Sequence, residues 1–410
     1  MTEDRETVRE VAWQELFPVL HLFSALRMAI NFRLLVLAAI ALVGMTAGWR
    51  LLGQMFANTT DDALRMQISV NDAWPWEMAP GPPPVEEFLS LESWRRDSPY
   101  LRGWRSITRP FERLFAANLS LVEWTYWLCC ALWSLVVWAF FGGAITRIAA
   151  VGFARQENAP WREVGGFVRP KWFSYFGAPL MPMVATFMGA ALLALVGLLL
   201  RSEIGILIAG IIWPLVLLGG FVMAFLLIGL YFCWPLMWSA ISAEGTDAFG
   251  ALSHAYSYAY QRPLRYLWYG VLAALIGVLG WFLVATFAQY TIALSAWGVS
   301  WGAGDVVLVD SEDLGQLGDF GVRLSQFWTN CLTTLVVAFV FSYFWVASTV
   351  IYFLLRRLVD ASELDEVYLV GENQPQHGLP PLRTGEDGVA EPADEPKPGN
   401  SGDGQTREEP

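Results

Sequence analysis

Hydrophobic positions along this chain gather into long runs with short polar breaks between them. The runs cover about 34–52, 122–145, 176–200, 204–241, 266–290 and 327–355. A helix needs about 20 apolar residues to cross a hydrocarbon core. The pattern therefore predicts an all-α membrane protein with six transmembrane helices, TM1 to TM6 in that order. The fourth run is the longest, about 57 Å as a single helix at about 1.5 Å per residue.

The segments between the runs are polar or amphipathic. Residues 1–33 form an N-terminal segment with an amphipathic stretch through Leu22, Leu26 and Ile30. Residues 53–121 read as a long polar loop. Trp74-Pro75-Trp76 and the prolines from Pro80 to Pro84 exclude continuous helix there, with short amphipathic pieces near Asp61–Ser69 and Arg109–Leu119. Residues 146–175 and 242–265 read as interfacial segments, 291–326 as an acidic loop, and 356–410 as an acidic tail too poor in apolar residues to fold.

Charge orders these pieces. Basic residues sit beside spans at Arg27 and Arg33, at Arg147–Lys171, at Arg262 and Arg265, and at Arg356-Arg357. The positive-inside rule places these four clusters in the cytoplasm and the 53–121 and 291–326 loops outside. With 147–171 and 262–265 on one side, an even number of spans separates them, so 204–241 is a single crossing, tilted or kinked near Trp213-Pro214 or Gly219-Gly220. Both termini are then cytoplasmic.

A repeat lies on that side. Arg169-Pro170-Lys171-Trp172-Phe173-Ser174-Tyr175-Phe176-Gly177 aligns with Arg262-Pro263-Leu264-Arg265-Tyr266-Leu267-Trp268-Tyr269-Gly270. Proline disfavours helix in the residue before it, arginine stays with phosphates, and aromatic rings settle at headgroup depth. The expected result is an elbow between an interfacial helix and a span, with Arg169, Pro170, Trp172, Arg262, Pro263, Arg265, Tyr266 and Trp268 anchoring it or holding a lipid headgroup. Each copy meets the membrane from the same side, so the units read as parallel hairpin repeats. Small residues at Ala185-x-x-x-Gly189 and Ala273-x-x-x-Gly277 recur at matching places and predict close helix contacts.

The segment Ala243-Glu244-Gly245-Thr246-Asp247-Ala248-Phe249-Gly250-Ala251-Leu252, followed by Tyr256 to Pro263, resembles the cytoplasmic segment of uncharacterised bacterial YciC-like membrane proteins. The likeness covers roughly residues 120–290 and implies a polytopic bacterial membrane protein with no assigned chemistry.

Composition narrows function mostly by exclusion. Hydrophobic residues make up 55%, charged residues 16%, and mean hydropathy is +0.42. The net charge of −12 resides mainly in the tail, where 13 acids face 3 bases from Leu358 to Pro410, so it gives no nucleic-acid surface. The 21 Trp lie largely near span ends, as headgroup-belt residues would. Cys129, Cys130, Cys233 and Cys331 have no CxxC spacing, and His21, His254 and His377 are far apart, so no metal or other cofactor is expected. No HExxH, GxSxG, Walker A or dinucleotide fingerprint occurs. Glu244, Asp247 and His254 read as a polar helix face rather than an acid/base set, and no enzyme is expected. The reading is a membrane-organising protein that binds lipids, or protein partners through loop 53–121 or the tail. The alternative is a permease or lipid transporter for a neutral or amphipathic substrate, and oligomeric state stays open.

Overall fold

The computed structural model describes residues 20–58, 62–71, 73–77, 98–116, 119–303, 316–369, 382–384 and 390–392. The described residues form α1 (His21–Ala29), α2 (Phe32–Met55), α3 (Asp62–Asn71), α4 (Pro99–Leu114), α5 (Leu121–Arg155), α6 (Trp161–Leu199), α7 (Glu203–Glu244), α8 (Ala248–Gln261), α9 (Pro263–Ala303) and α10 (Gln316–Asp360). Six of these, α2, α5, α6, α7, α9 and α10, are long and apolar enough to cross a membrane. The chain is thus a multi-pass protein, almost wholly helical among the described residues. The acidic stretch Asp305–Asp313, the prolines Pro80–Pro84 and the first 19 residues lie outside the described set.

Local chemistry sets the helix ends. Ser120 opens α5 with a capping box: its hydroxyl accepts from the Glu123 N–H at 3.2 Å, and the Glu123 carboxylate accepts from the Ser120 N–H at 3.0 Å. α6 and α7 are separated only by Leu200–Ser202, after which Ser202 caps α7 by accepting from Gly205 N at 3.1 Å. α7 stops at Gly245, whose φ of 66° suits a residue without Cβ. Asp247 then caps α8, accepting from Gly250 N at 2.7 Å.

α10 is the central helix, with 89% of its most apolar stretch buried; in the most apolar stretch of α7 no residue is buried. Tryptophan builds the centre. Trp238 and Trp345 stack at 4.5 Å and 9°, Trp234 meets Trp345 edge-on at 5.4 Å, and Trp138 stacks on Phe341 at 5.0 Å. Trp138, Trp238, Trp281 and Trp345 are almost fully buried, so a good part of the tryptophan serves packing rather than a headgroup belt. The outer parts of α6 and α7 touch mainly each other, through Gly189 against Met223 and Gly219 against Leu193. Their remaining surface is exposed and apolar, as a lipid-facing hairpin requires.

Three expectations need correction. Pro170 does not end a helix: α6 runs unbroken through Pro170, Pro179 and Pro182, because neighbouring helices hold a proline-interrupted helix together. The elbow exists only in the second copy, where Arg262 leaves helical geometry and Pro263 takes the first position of α9. The 53–121 segment is not wholly a loop, since α4 within it packs against α5, α9 and α10. The tail is not wholly unstructured. The chain divides after Val367, and in the second unit Leu382–Thr384 pairs antiparallel with Ala390–Pro392, Arg383 opposite Glu391.

Candidate functional site

α4 is the element that creates a site. Its buried face carries Tyr100, Gly103, Trp104, Ile107, Pro110 and Leu114 at helical spacing. Gly103 lets the backbone approach α10 so closely that an added Cβ would stand 2.9 Å from Phe344 Cβ. Trp104 meets Trp234 at 5.7 Å and Tyr231 at 5.7 Å, and Tyr100 meets Phe344 at 5.3 Å. The other face carries Arg102, Arg105, Arg109 and Arg113, whose spacing of three, four and four puts them in one row.

α4 enters the bundle deeply. Ser98, fully buried just before its first turn, donates its hydroxyl to the Ala274 carbonyl at 3.1 Å. Ala274 lies about 16 Å along α9 from Pro263. The Arg102 guanidinium sits 4.0 Å over the Trp281 ring, a second tie to α9. At the opposite end Arg113 lies 5.9 Å from the Trp127 ring, near the start of α5, and Phe115 stacks on Phe187 of α6 at 5.4 Å.

Between α4, α5, α6 and α7 a cleft of about 400 Å³ remains open. This falls within the roughly 300–1,000 Å³ of small-molecule sites. α4 contributes Ile107, Thr108, Phe111, Glu112 and Phe115, and α5 contributes Ser134, Leu135 and Trp138. Pro179 and Met183 of α6 and the stretch from Leu227 to Trp238 of α7 close the rest. Nearly every lining group is apolar. Of the polar ones, Thr108 donates to Glu112 at 2.7 Å, and Ser134 donates to the Cys130 carbonyl at 2.8 Å while accepting from Trp49 at 3.1 Å; the buried Trp234 indole N–H has no hydrogen-bond partner among the described residues. The ionisable residues of the lining are Glu112 and Tyr231. The arrangement can hold an alkyl chain. No family model, curated protein or solved structure matches this chain. The site must be read from its own residues.

The elbow residues lie apart from this cleft, apart from one link. Arg169 and Pro170 are exposed, and Trp172 is half-buried. The Trp172 indole donates to the Val136 carbonyl at 3.4 Å, and with Arg169 it borders a shallow hollow formed with Phe140 and Phe141 of α5. Lys171 donates to the carbonyls of Gly245 and Thr246, where a cation compensates the C-terminal end of α7. Arg262, Pro263, Arg265 and Trp268 are exposed. Tyr266 is buried, and its hydroxyl donates to the carbonyl of Phe232, a residue of the cleft wall.

Two polar clusters tie the helices together. Arg147 is fully buried, donating to the Ser242 carbonyl at 2.8 Å, pairing with Glu163 at 3.4 Å and lying 4.1 Å over the Phe167 ring. Ser242 also links to Thr146 and Tyr175, each at 2.7 Å. In the second cluster Glu244 does meet His254, at 3.3 Å, and accepts from Tyr352; Tyr258 donates to Asp360. Asp247 stays out of this group as the α8 cap. Burial, and secondarily the bond to Asp360, push the Tyr258 hydroxyl above its ordinary range, so it stays a proton donor. The cluster fastens α7, α8 and α10. Among the described residues no set of three metal-ligating side chains converges.

The docking of α4 is hard to see in the sequence, although its signal is present there. The arginine row opposite Trp104, Ile107 and Leu114 is an amphipathic helix pattern, but its low overall hydrophobicity hides it in a polar loop.

Proposed function

We propose that this protein is a non-enzymatic, lipid-binding membrane organiser that holds an amphipathic molecule in the cleft between α4, α5, α6 and α7. One observation carries the reading: a cavity of about 400 Å³, lined almost entirely by apolar side chains, opens among helices whose outer faces are themselves suited to lipid. Its walls favour an alkyl chain over a polar solute or ion, for which spans usually supply partnered ionisable groups.

In this reading the basic ends of the spans face the cytoplasm. The segments before α2 and at the end of α10 then share that side. This agrees with the neighbourhood of His21 and Arg357, whose charge acts on the imidazole. α1 and α8 act as interfacial helices, and the shallow hollow by Arg169 and Trp172 is a second place for a lipid. The location proposed is a bacterial inner membrane, with loop 53–121 or the acidic tail available to protein partners.

Photo-crosslinking tests the reading. The purified chain in vesicles containing phosphatidylcholine with a diazirine near the acyl terminus should yield adducts on Phe111, Met183 and Leu227–Trp238. Met183→Trp should abolish the adducts within the cleft. Adducts confined to the outer faces of α6 and α7 would refute the site. A second reading, lipid transport, is favoured by the cleft's extent along α7 from Leu227 to Trp238, about 16 Å. A dithionite-protection assay distinguishes it: accelerated loss of fluorescent lipid from the inner leaflet of proteoliposomes marks transport, and an unchanged rate marks a binding protein.

A further inference from the structure

We infer that the ligand of the cleft is anionic, with a phosphate head held by Arg105 and Arg109 of α4 while its chain lies against Ile107 and Phe111. The inference rests on the cleft being a lipid site and adds the chemistry that selects among lipids.

The geometry supplies both halves of an amphiphile-binding surface on one helix. Ile107 and Phe111 belong to the cleft wall, and Thr108 and Glu112 form its polar border. Arg105 lies one turn before Thr108 and Arg109, so Arg105, Thr108 or Arg109, and Glu112 follow each other along the flank. Residues three apart lie only about 60° apart around a helix, so a chain entering between Thr108 and Phe111 leaves its head within side-chain reach of Arg105, with Arg109 one turn further along. Two arginines at i and i+4 stand about 5–6 Å apart at Cβ, near enough to share one phosphate. A guanidinium matches a phosphodiester with two parallel hydrogen bonds, and a net-anionic head gains more from the paired cations than a zwitterionic one, whose own ammonium offsets the phosphate charge.

Charge balance strengthens the case. α4 carries four arginines and one glutamate. Arg102 is taken up against Trp281 and Arg113 against Trp127. The Glu112 carboxylate accepts from Thr108. Among the described residues no carboxylate lies within ion-pair range of Arg105, which is exposed, or of Arg109, which is half-exposed. A cationic row beside an apolar opening is costly in a membrane unless an anion or water meets it. An anionic headgroup meets it directly, and the neighbouring cleft explains why that head should arrive with a chain attached.

Native mass spectrometry of the full chain tests this, using phosphatidylglycerol and phosphatidylcholine of identical acyl composition. The wild type should retain phosphatidylglycerol about tenfold better. R105Q/R109Q should erase that preference while leaving phosphatidylcholine retention and melting temperature unchanged, and R105K/R109K should keep part of it. Equal retention of both lipids by the wild type, or a preference that survives R105Q/R109Q, would overturn the anionic assignment and leave the cleft intact. Retention of both lipids unaffected by Met183→Trp would instead remove the cleft reading. Inorganic phosphate displacing phosphatidylglycerol at equal concentration would assign the arginines to free phosphate, and would overturn the lipid source.

Discussion

Buried polar side chains carry more of this bundle than its hydrophobicity implies. Arg147 is the clearest case, holding the α7 backbone, Glu163 and the Phe167 ring at once. Arg147→Met leaves Glu163 and the Ser242 carbonyl without that donor. The expected loss is about 2–4 kcal/mol, below that of a fully dry pair because Glu163 keeps 30% exposure. Denaturant titration in micelles measures it, and Arg147→Met/Glu163→Gln should recover part. His21 gives a pH dependence. Burial, then the charge of Arg357, hold its imidazole below the usual value of 6.5. The unfolded chain then binds the proton more readily, so the histidine's contribution is present above about pH 6.5 and is lost as pH falls through the lower folded value. Melting temperature should drop between pH 7.5 and 5.5, and less so in His21→Phe, which preserves the edge contact with Phe153. An equal drop in both proteins would remove His21 as the source.

The elements were unevenly legible. Runs of apolar residues announced all six long helices, and parity of basic clusters correctly made Glu203–Glu244 one continuous helix. Sequence could not tell that Pro170 lies inside a helix while Pro263 begins one. The two prolines sit in nearly identical motifs, and their difference comes from what packs around them. Trp172 and Tyr175 of the first copy are held on α5 and α7, whereas the second copy follows a separately capped α8. Pro170→Ala should therefore raise the melting temperature, since it restores an N–H within an unbroken helix. Pro263→Ala should leave it nearly unchanged, because a first-turn N–H has no intrahelical acceptor. The matching small residues were readable: Gly189 meets Met223 and Gly277 meets Tyr343, both contacts between paired helices. The docking of α4 was not, because its partners lie far along the chain, although its amphipathic pattern is present within a segment of low overall hydrophobicity.

At the scale of the molecule the six long helices and the charge pattern make a testable topology. In a background with the four cysteines replaced, cysteines at the exposed positions 166 and 253 should react from the cytoplasmic side and one at 58 from the other. Reaction of 166 and 253 from opposite sides would defeat the parity argument. Deletion after residue 371 should leave the melting temperature of the helical unit unchanged, since Met1–Val367 forms a compact unit by itself. A lower temperature would mean that the tail supports the bundle.

The tie between Ser98 and Ala274 spans 176 positions of sequence. While α4 leaves the ribosome, neither α9 nor α10 has been made, and a segment with four arginines has no hydrophobic claim on the bilayer. Biogenesis must then run out of chain order: the long helices insert first, and α4 descends among them only after the last is threaded. A chain arrested before α9 should leave α4 open to added protease, and completion of α10 should close it. The arginine row thus times assembly, marking the step at which an inserted chain becomes a finished protein.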